Sequence, residues 1–209
     1  MDVSLPPLRQ TGLRRGLRLE YFTVSWNLLE AAVGLVAGTL AGSVALVGFA
    51  LDSLVEASSG SILLWRLRTE QNGKRSAEEA ERRAIRLVAV AFLALAAYVG
   101  VRAIYDLAVQ SRPDASPVGV GLALVSLVVM PILAARKARV ARSLDSRALQ
   151  ADSTQTTLCT YLSAFLLVGL ATNALLGWWW ADPLAGFVIA ILAAKEGREL
   201  WTTEDLCCR

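Results

Sequence analysis

GFALDSLVE, residues 48–56, and QADSTQTTLC, residues 150–159, each interrupt a long apolar run with groups that lipid disfavours. The first carries Asp52 and Glu56; the second carries Asp152, Gln155 and Cys159. A charged side chain near the middle of a membrane helix costs about 2.5–3.5 kcal/mol on insertion scales, so it faces the protein interior and serves a function there. Asp52 and Glu56 are separated by four positions, which on a helix places both carboxylates on one face, one turn apart. Gln155 and Cys159 repeat that spacing, and Asp152, three positions before Gln155, joins the same face. Two helices that each offer an i, i+4 pair of oxygen or sulfur donors can close around a single cation.

Depth agrees with this. At about 1.5 Å per helical residue, Asp52 and Glu56 lie roughly 21 and 15 Å from Arg66, and Gln155 and Cys159 roughly 12 and 18 Å from Arg147. With Arg66 and Arg147 on the same side, the four donors fall in one layer near the bilayer middle.

The surrounding chain is that of a membrane protein. Of its 209 residues, 55% are hydrophobic, and its charges are segregated between apolar runs. The net charge of +3 is small and the basic residues flank apolar runs instead of forming a stripe with interleaved aromatics, which argues against nucleic acid as a partner. The opening MDVSLPPLRQTG has no apolar run after a charged start, so no cleaved signal peptide is expected. Three cysteines give no disulfide framework. Histidine is absent, which removes the commonest metal ligand and the usual proton carrier near neutral pH. It also leaves no recognisable nucleophile and base pairing, so an intramembrane enzyme is not expected.

Six apolar runs are read, at about 21–40, 43–65, 84–109, 118–135, 149–176 and 183–201. The first contains Asn27 and Glu30, and at its end, in GLVAGTLAG, Gly34, Gly38 and Gly42 recur every fourth position, a spacing that lets helices approach closely. Arg102 and Asp106, four apart near the end of the third run, read as an interfacial ion pair. Pro131 is expected to kink the fourth run unless a neighbour satisfies the freed carbonyl. RKARVARSLDSR, residues 136–147, reads as a basic loop, and Asp182 before Pro183 as the N-cap of the sixth helix. The tryptophans at 178–180 suit the headgroup level. Lys and Arg number four before the first run, seven in residues 66–86, five in 136–147 and three from 195 onward, while the opposite connections contain only Arg112. The positive-inside rule then places both termini in the cytoplasm. The expected architecture is all-α and polytopic: a cytoplasmic segment 1–20, a six-helix transmembrane domain 21–201 and a short cytoplasmic tail 202–209.

SVALVGFALDSLVE and ALQADSTQTTLC resemble the second and fifth helices of the cation diffusion facilitator family, the divalent-metal efflux transporters, and WWWADPLAG is similar to that family's lead into its sixth helix. The resemblance covers roughly residues 21–201. It implies metal ligands at Asp52 and Glu56, with Gln155 and Cys159 where the family usually has histidine and aspartate. Glu30 resembles a glutamate often found in the family's first helix and joins Asp152 as a secondary ligand, Asp152 standing nearer the cytoplasm. Gln155 cannot titrate, so a proton-coupling role does not transfer to it. Cys159 supplies a soft sulfur that biases the site away from magnesium and calcium and toward zinc, cadmium, cobalt or copper(I). The family's soluble C-terminal domain has no counterpart in the TTEDLCCR that follows Trp201, where Cys207 and Cys208 read as ordinary exposed thiols, with metal transfer or lipidation as alternatives.

The expectation is a transporter exporting Zn²⁺, or a similar ion such as Cd²⁺, Co²⁺ or Fe²⁺, from the cytoplasm, with no bound cofactor. Two carboxylates close together in a dry interior do not both stay ionised once the metal leaves, so Asp52 and Glu56 would carry a coupled proton. The resemblance also implies a homodimer, in a multi-pass protein of a bacterial inner membrane. The alternative is a non-transporting, membrane-embedded regulatory or assembly subunit.

Overall fold

The computed structural model describes residues 7–71 and 78–206. They form six long helices: α1 (Pro7–Ala41), α2 (Val44–Gln71), α3 (Glu78–Ala108), α4 (Pro117–Leu144), α5 (Arg147–Leu176) and α6 (Ala181–Leu206). No strand occurs among the described residues. At 26–35 residues each, the helices run about 39–52 Å, well beyond a hydrocarbon core of about 30 Å.

Contacts at the two ends fix the up-and-down order. At one end Leu13 and Leu17 of α1 pack with Leu63, Leu64 and Leu67 of α2, Ala141 and Leu144 of α4 and Leu149 of α5. At the other, Asp114 N–H donates to Ala41 C=O, the Asn173 amide donates to Pro113 C=O, and Asp182 meets the start of α2. Successive helices therefore alternate in direction, and the start of α1 and the end of α6 share the arginine-rich end.

Polarity is inverted relative to a water-soluble bundle. Leu40, Val36, Val101, Val128, Val168 and Leu175 face outward, whereas Glu20, Asn27, Glu30, Asp52, Glu56, Lys137 and Asp152 are buried. An apolar outside and a polar inside suit a lipid surround, in which every polar group must be satisfied internally. Helices α1 to α5 are long and apolar enough to cross a membrane. The sixth is apolar over a shorter stretch, residues 183–194, which gives way to Lys195, Glu196, Arg198 and Glu199. The expected span 183–201 is thus apolar only in its first part. Ala190 and Ala193 nevertheless pack α6 into the bundle against Val44 of α2 and Val88, Phe92 and Val99 of α3.

Several local expectations change. Residues 7–20, read as a segment before the first span, are the opening turns of α1, held by Leu13 and Leu17. Residues 136–144, read as the start of a basic loop, continue α4, because Lys137, Ala141 and Leu144 extend the buried stripe begun by Met130 and Leu133. The α4–α5 turn is reduced to Asp145, left-handed at φ 51°, and Ser146, whose hydroxyl accepts from Leu149 N–H. Helix α4 runs unbroken through Pro131. Asp182 is a cap, though of another helix: it lies in the first turn of α6 and accepts from Ser43 Oγ, Val44 N–H and Ala45 N–H at the start of α2.

The glycine repeat divides in two. A Cβ on Gly34 would lie 2.8 Å from Ala50 Cβ and one on Gly38 2.9 Å from Val47, so these two let α1 and α2 touch. Gly42, at φ 65°, makes the turn between them. Arg102 Nε and Asp106 form the expected i, i+4 ion pair at 3.4 Å. Cys207 and Cys208 lie outside the described residues, as does part of the polar connection between α2 and α3.

Candidate metal site

Asp52 and Glu56 sit on the inner face of α2, and Asp152, Gln155, Thr156 and Cys159 on the inner face of α5; all are buried. The two faces meet because apolar residues around them, Ala45, Phe49, Leu162 and Leu166, interlock in the central core. Asp52, Gln155 and Cys159 line a cavity of about 10 Å³, enough for about one water-sized sphere. Phe92, Leu162 and Leu192 supply its apolar wall. Its fourth polar wall residue is Glu196 of α6, which the sequence reading did not single out within the sixth run.

Glu56 stands beside the cavity and not in its lining. Its Oε1 accepts a 2.9 Å hydrogen bond from the Thr156 hydroxyl, while its Oε2 is buried with no hydrogen-bond partner. The Cys159 thiol is the neighbour that Asp52 and Glu56 share. Gln155 Nε2 is also buried without a partner. Glu30 is one layer away: Ser53 Oγ donates to its Oε2 at 3.4 Å, and its Oε1 makes no hydrogen bond.

Asp152 has a different setting. It accepts from the ammonium of Lys137, a fully buried side chain on α4 that also pairs with Glu20 of α1 at 3.2 Å. Lys137 further donates to Thr156 Oγ1 at 3.3 Å. Sequence reasoning missed Lys137 and Glu20 because both lie in arginine-rich segments that read as solvated flanks. A signal was present nonetheless. Met130, Ala134, Lys137, Ala141 and Leu144 alternate in steps of four and three, as do Leu13, Leu17 and Glu20, which marks one continuous buried stripe in each case.

The arrangement gathers oxygen and sulfur groups able to hold a cation, among them the unpartnered Glu56 Oε2. Among the described residues, no three cysteine, aspartate or glutamate side chains converge closely enough to hold an ion as they stand.

A family model described as the cation efflux transmembrane domain matches residues 21–203. Transmembrane protein 163 of Xenopus laevis is 24% identical over 198 residues, which cover 93% of this chain and 69% of that protein. Uncharacterized transporter sll1263 of Synechocystis sp. is 28% identical over 187 residues, which cover 86% of this chain and 60% of that protein. A match extending from within α1 to residue 203 of α6, in a chain with an apolar exterior and a charged interior, makes this protein a member of the cation efflux family of membrane cation transporters.

Proposed function

We propose that the protein exports a divalent transition metal, zinc above all, from the cytoplasm through one intramembrane site made by Asp52, Glu56, Gln155 and Cys159, in exchange for protons. The observation that carries this reading is the cavity shared by Asp52, Gln155 and Cys159, with the unpartnered Glu56 Oε2 beside it. Two carboxylates, an amide oxygen and a thiolate make a four-donor set suited to tetrahedral zinc, and the sulfur disfavours magnesium and calcium. Glu196 offers a further carboxylate on the opposite wall, and Glu30 and Asp152 remain secondary acidic positions along the interior.

Release follows from the same groups. With the ion gone, Asp52 and Glu56 are left as close carboxylates in a dry interior, and a proton delivered to them replaces part of the lost charge. Metal and proton then occupy the site alternately as the bundle opens to one side and the other. The location is the cell membrane, in a bacterium the inner one. A homodimer would form through the outer helix faces, since Gly34 and Gly38 are already taken up by α2.

Calorimetric titration of zinc into the detergent-solubilised protein tests this, repeated in buffers of different ionisation enthalpy to count released protons. The expected result is one zinc per chain with proton release, both abolished in Asp52→Asn. A second reading, a non-transporting membrane subunit, draws on there being, among the described residues, no three cysteine, aspartate or glutamate side chains grouped closely enough to hold an ion. It requires that the intact protein bind no zinc.

A further inference from the structure

Lys137 is, among the described residues, the one cationic side chain buried in the interior, with no solvent exposure at all. Glu20 lies 3.2 Å from its ammonium, Asp152 accepts from it, and the Thr156 hydroxyl accepts from it at 3.3 Å. The Thr156 hydroxyl also reaches Glu56 Oε1, donating at 2.9 Å. Three helices, α1, α4 and α5, thus converge on one ammonium that is a single hydroxyl away from a carboxylate of α2.

Burying an ammonium is costly, and a packed apolar side chain would serve stability at least as well. What an apolar residue cannot supply is a fixed positive charge next to a cation site. We propose that Lys137 is a tethered counter-cation: it balances Glu56 when the site is empty and opposes the divalent cargo when the site is filled, keeping affinity low enough for release. This rests on the transport reading above. Lys137 does not touch the cargo. It acts through Thr156 and through its field at Glu56, on which it is the foremost charge, with Asp152 acting against it. Hydrogen bonds of 3.3 and 2.9 Å carry the ammonium to within about 6 Å of the Glu56 carboxylate. At that separation a unit charge opposes a divalent ion strongly enough to change binding about tenfold even at the dielectric of bulk water.

The test compares Lys137→Met, Lys137→Arg and the double variant Lys137→Met with Glu20→Gln, reading zinc affinity by titration and zinc flux in liposomes. Lys137→Met is expected to bind zinc about tenfold more tightly or better. Its apparent KM and its maximal flux should fall together, because the cargo is held and not released. Lys137→Arg keeps the charge and should behave like the unaltered protein. Lys137→Met strips a buried ion pair of its cation and risks misfolding. The double variant preserves the local charge balance while removing the cation nearest Glu56, so it should tighten zinc binding in the same direction but by less, about twofold, because the opposing charge of Glu20 is lost with it. A merely structural lysine would weaken zinc binding or leave it unchanged. Zinc bound no more tightly by the folded Met variants, or bound equally more tightly by Lys137→Arg, overturns the role of Lys137 alone. Absence of zinc binding in the unaltered protein overturns the transport reading and this inference with it.

Discussion

Replacing Asp182 with alanine removes the acceptor that joins the start of α6 to the start of α2. Three donors lose it: Ser43 Oγ, Val44 N–H at 3.0 Å and Ala45 N–H at 3.4 Å. Hydrogen bonds to a charged group contribute about 1.5–3 kcal/mol each, and buried donors left unmade add their desolvation cost. The full sum does not apply, because Ser43 Oγ still accepts from Leu46 N–H at 3.1 Å and keeps part of the cap. The longest of the three bonds also contributes little. Asp182→Ala should therefore destabilise by about 3 kcal/mol. Asp182→Asn retains one acceptor oxygen without the charge and should cost about 1 kcal/mol, in the range of an altered N-cap. Equilibrium unfolding in mixed micelles, followed by circular dichroism, measures both. The folded fraction of each should bind zinc normally, because Asp182 lies about 21 Å along α6 from Glu196 at the cavity wall. Two results would refute this reasoning. Stability of Asp182→Ala within about 0.5 kcal/mol of the unaltered protein, the range of an ordinary surface change, would show that α2 does not depend on the cap. Zinc affinity lost at unchanged stability would make Asp182 a ligand.

Other substitutions probe separate parts of the molecule. Gly34→Val places new carbon where a Cβ already lies 2.8 Å from Ala50, and should lower unfolding stability by about 1–3 kcal/mol as α1 and α2 are forced apart. Thr156→Val removes the donor to Glu56 Oε1 and leaves that carboxylate with no hydrogen bond at either oxygen; the expected loss is about 1.5–3 kcal/mol in the metal-free protein, read by the same unfolding assay. Cys159→Ser replaces sulfur with a harder oxygen, so competition titrations should show cadmium and zinc losing ground to manganese.

The extent of the helices and the contents of the site were open to sequence reasoning to different degrees. Hydropathy located the six helices because lipid and a long apolar run demand one another, and the i, i+4 pairs located the inner faces of α2 and α5 because a carboxylate in such a run has few other reasons to be there. Helix ends were less visible. The first turns of α1 and the last turns of α4 lie among arginines, yet they stay helical because Leu13, Leu17, Ala141 and Leu144 bury one another beyond the hydrophobic run. Hydropathy averages over all faces of a helix, so it hides a buried stripe in a charged segment. Lys137 and Glu20 were lost for that reason, and with them the setting of Asp152, which is an ion-pair partner as well as an acidic position near the cavity. Glu196 was obscured in the same way by Lys195, Arg198 and Glu199 around it. Asp182 illustrates a separate limit: its sequence marks it as a cap, but only the packing of α6 beside α2 reveals which helix it caps.

Zinc flux into liposomes carrying the purified protein and an internal pH dye, with Asp52→Asn measured beside it, bears on the exchange mechanism without intermediate assumptions. Zinc movement accompanied by opposite proton movement, with both lost in Asp52→Asn, is the expected outcome. Zinc movement that leaves the internal pH unchanged would contradict proton exchange, and undiminished flux in Asp52→Asn would contradict a site built on α2.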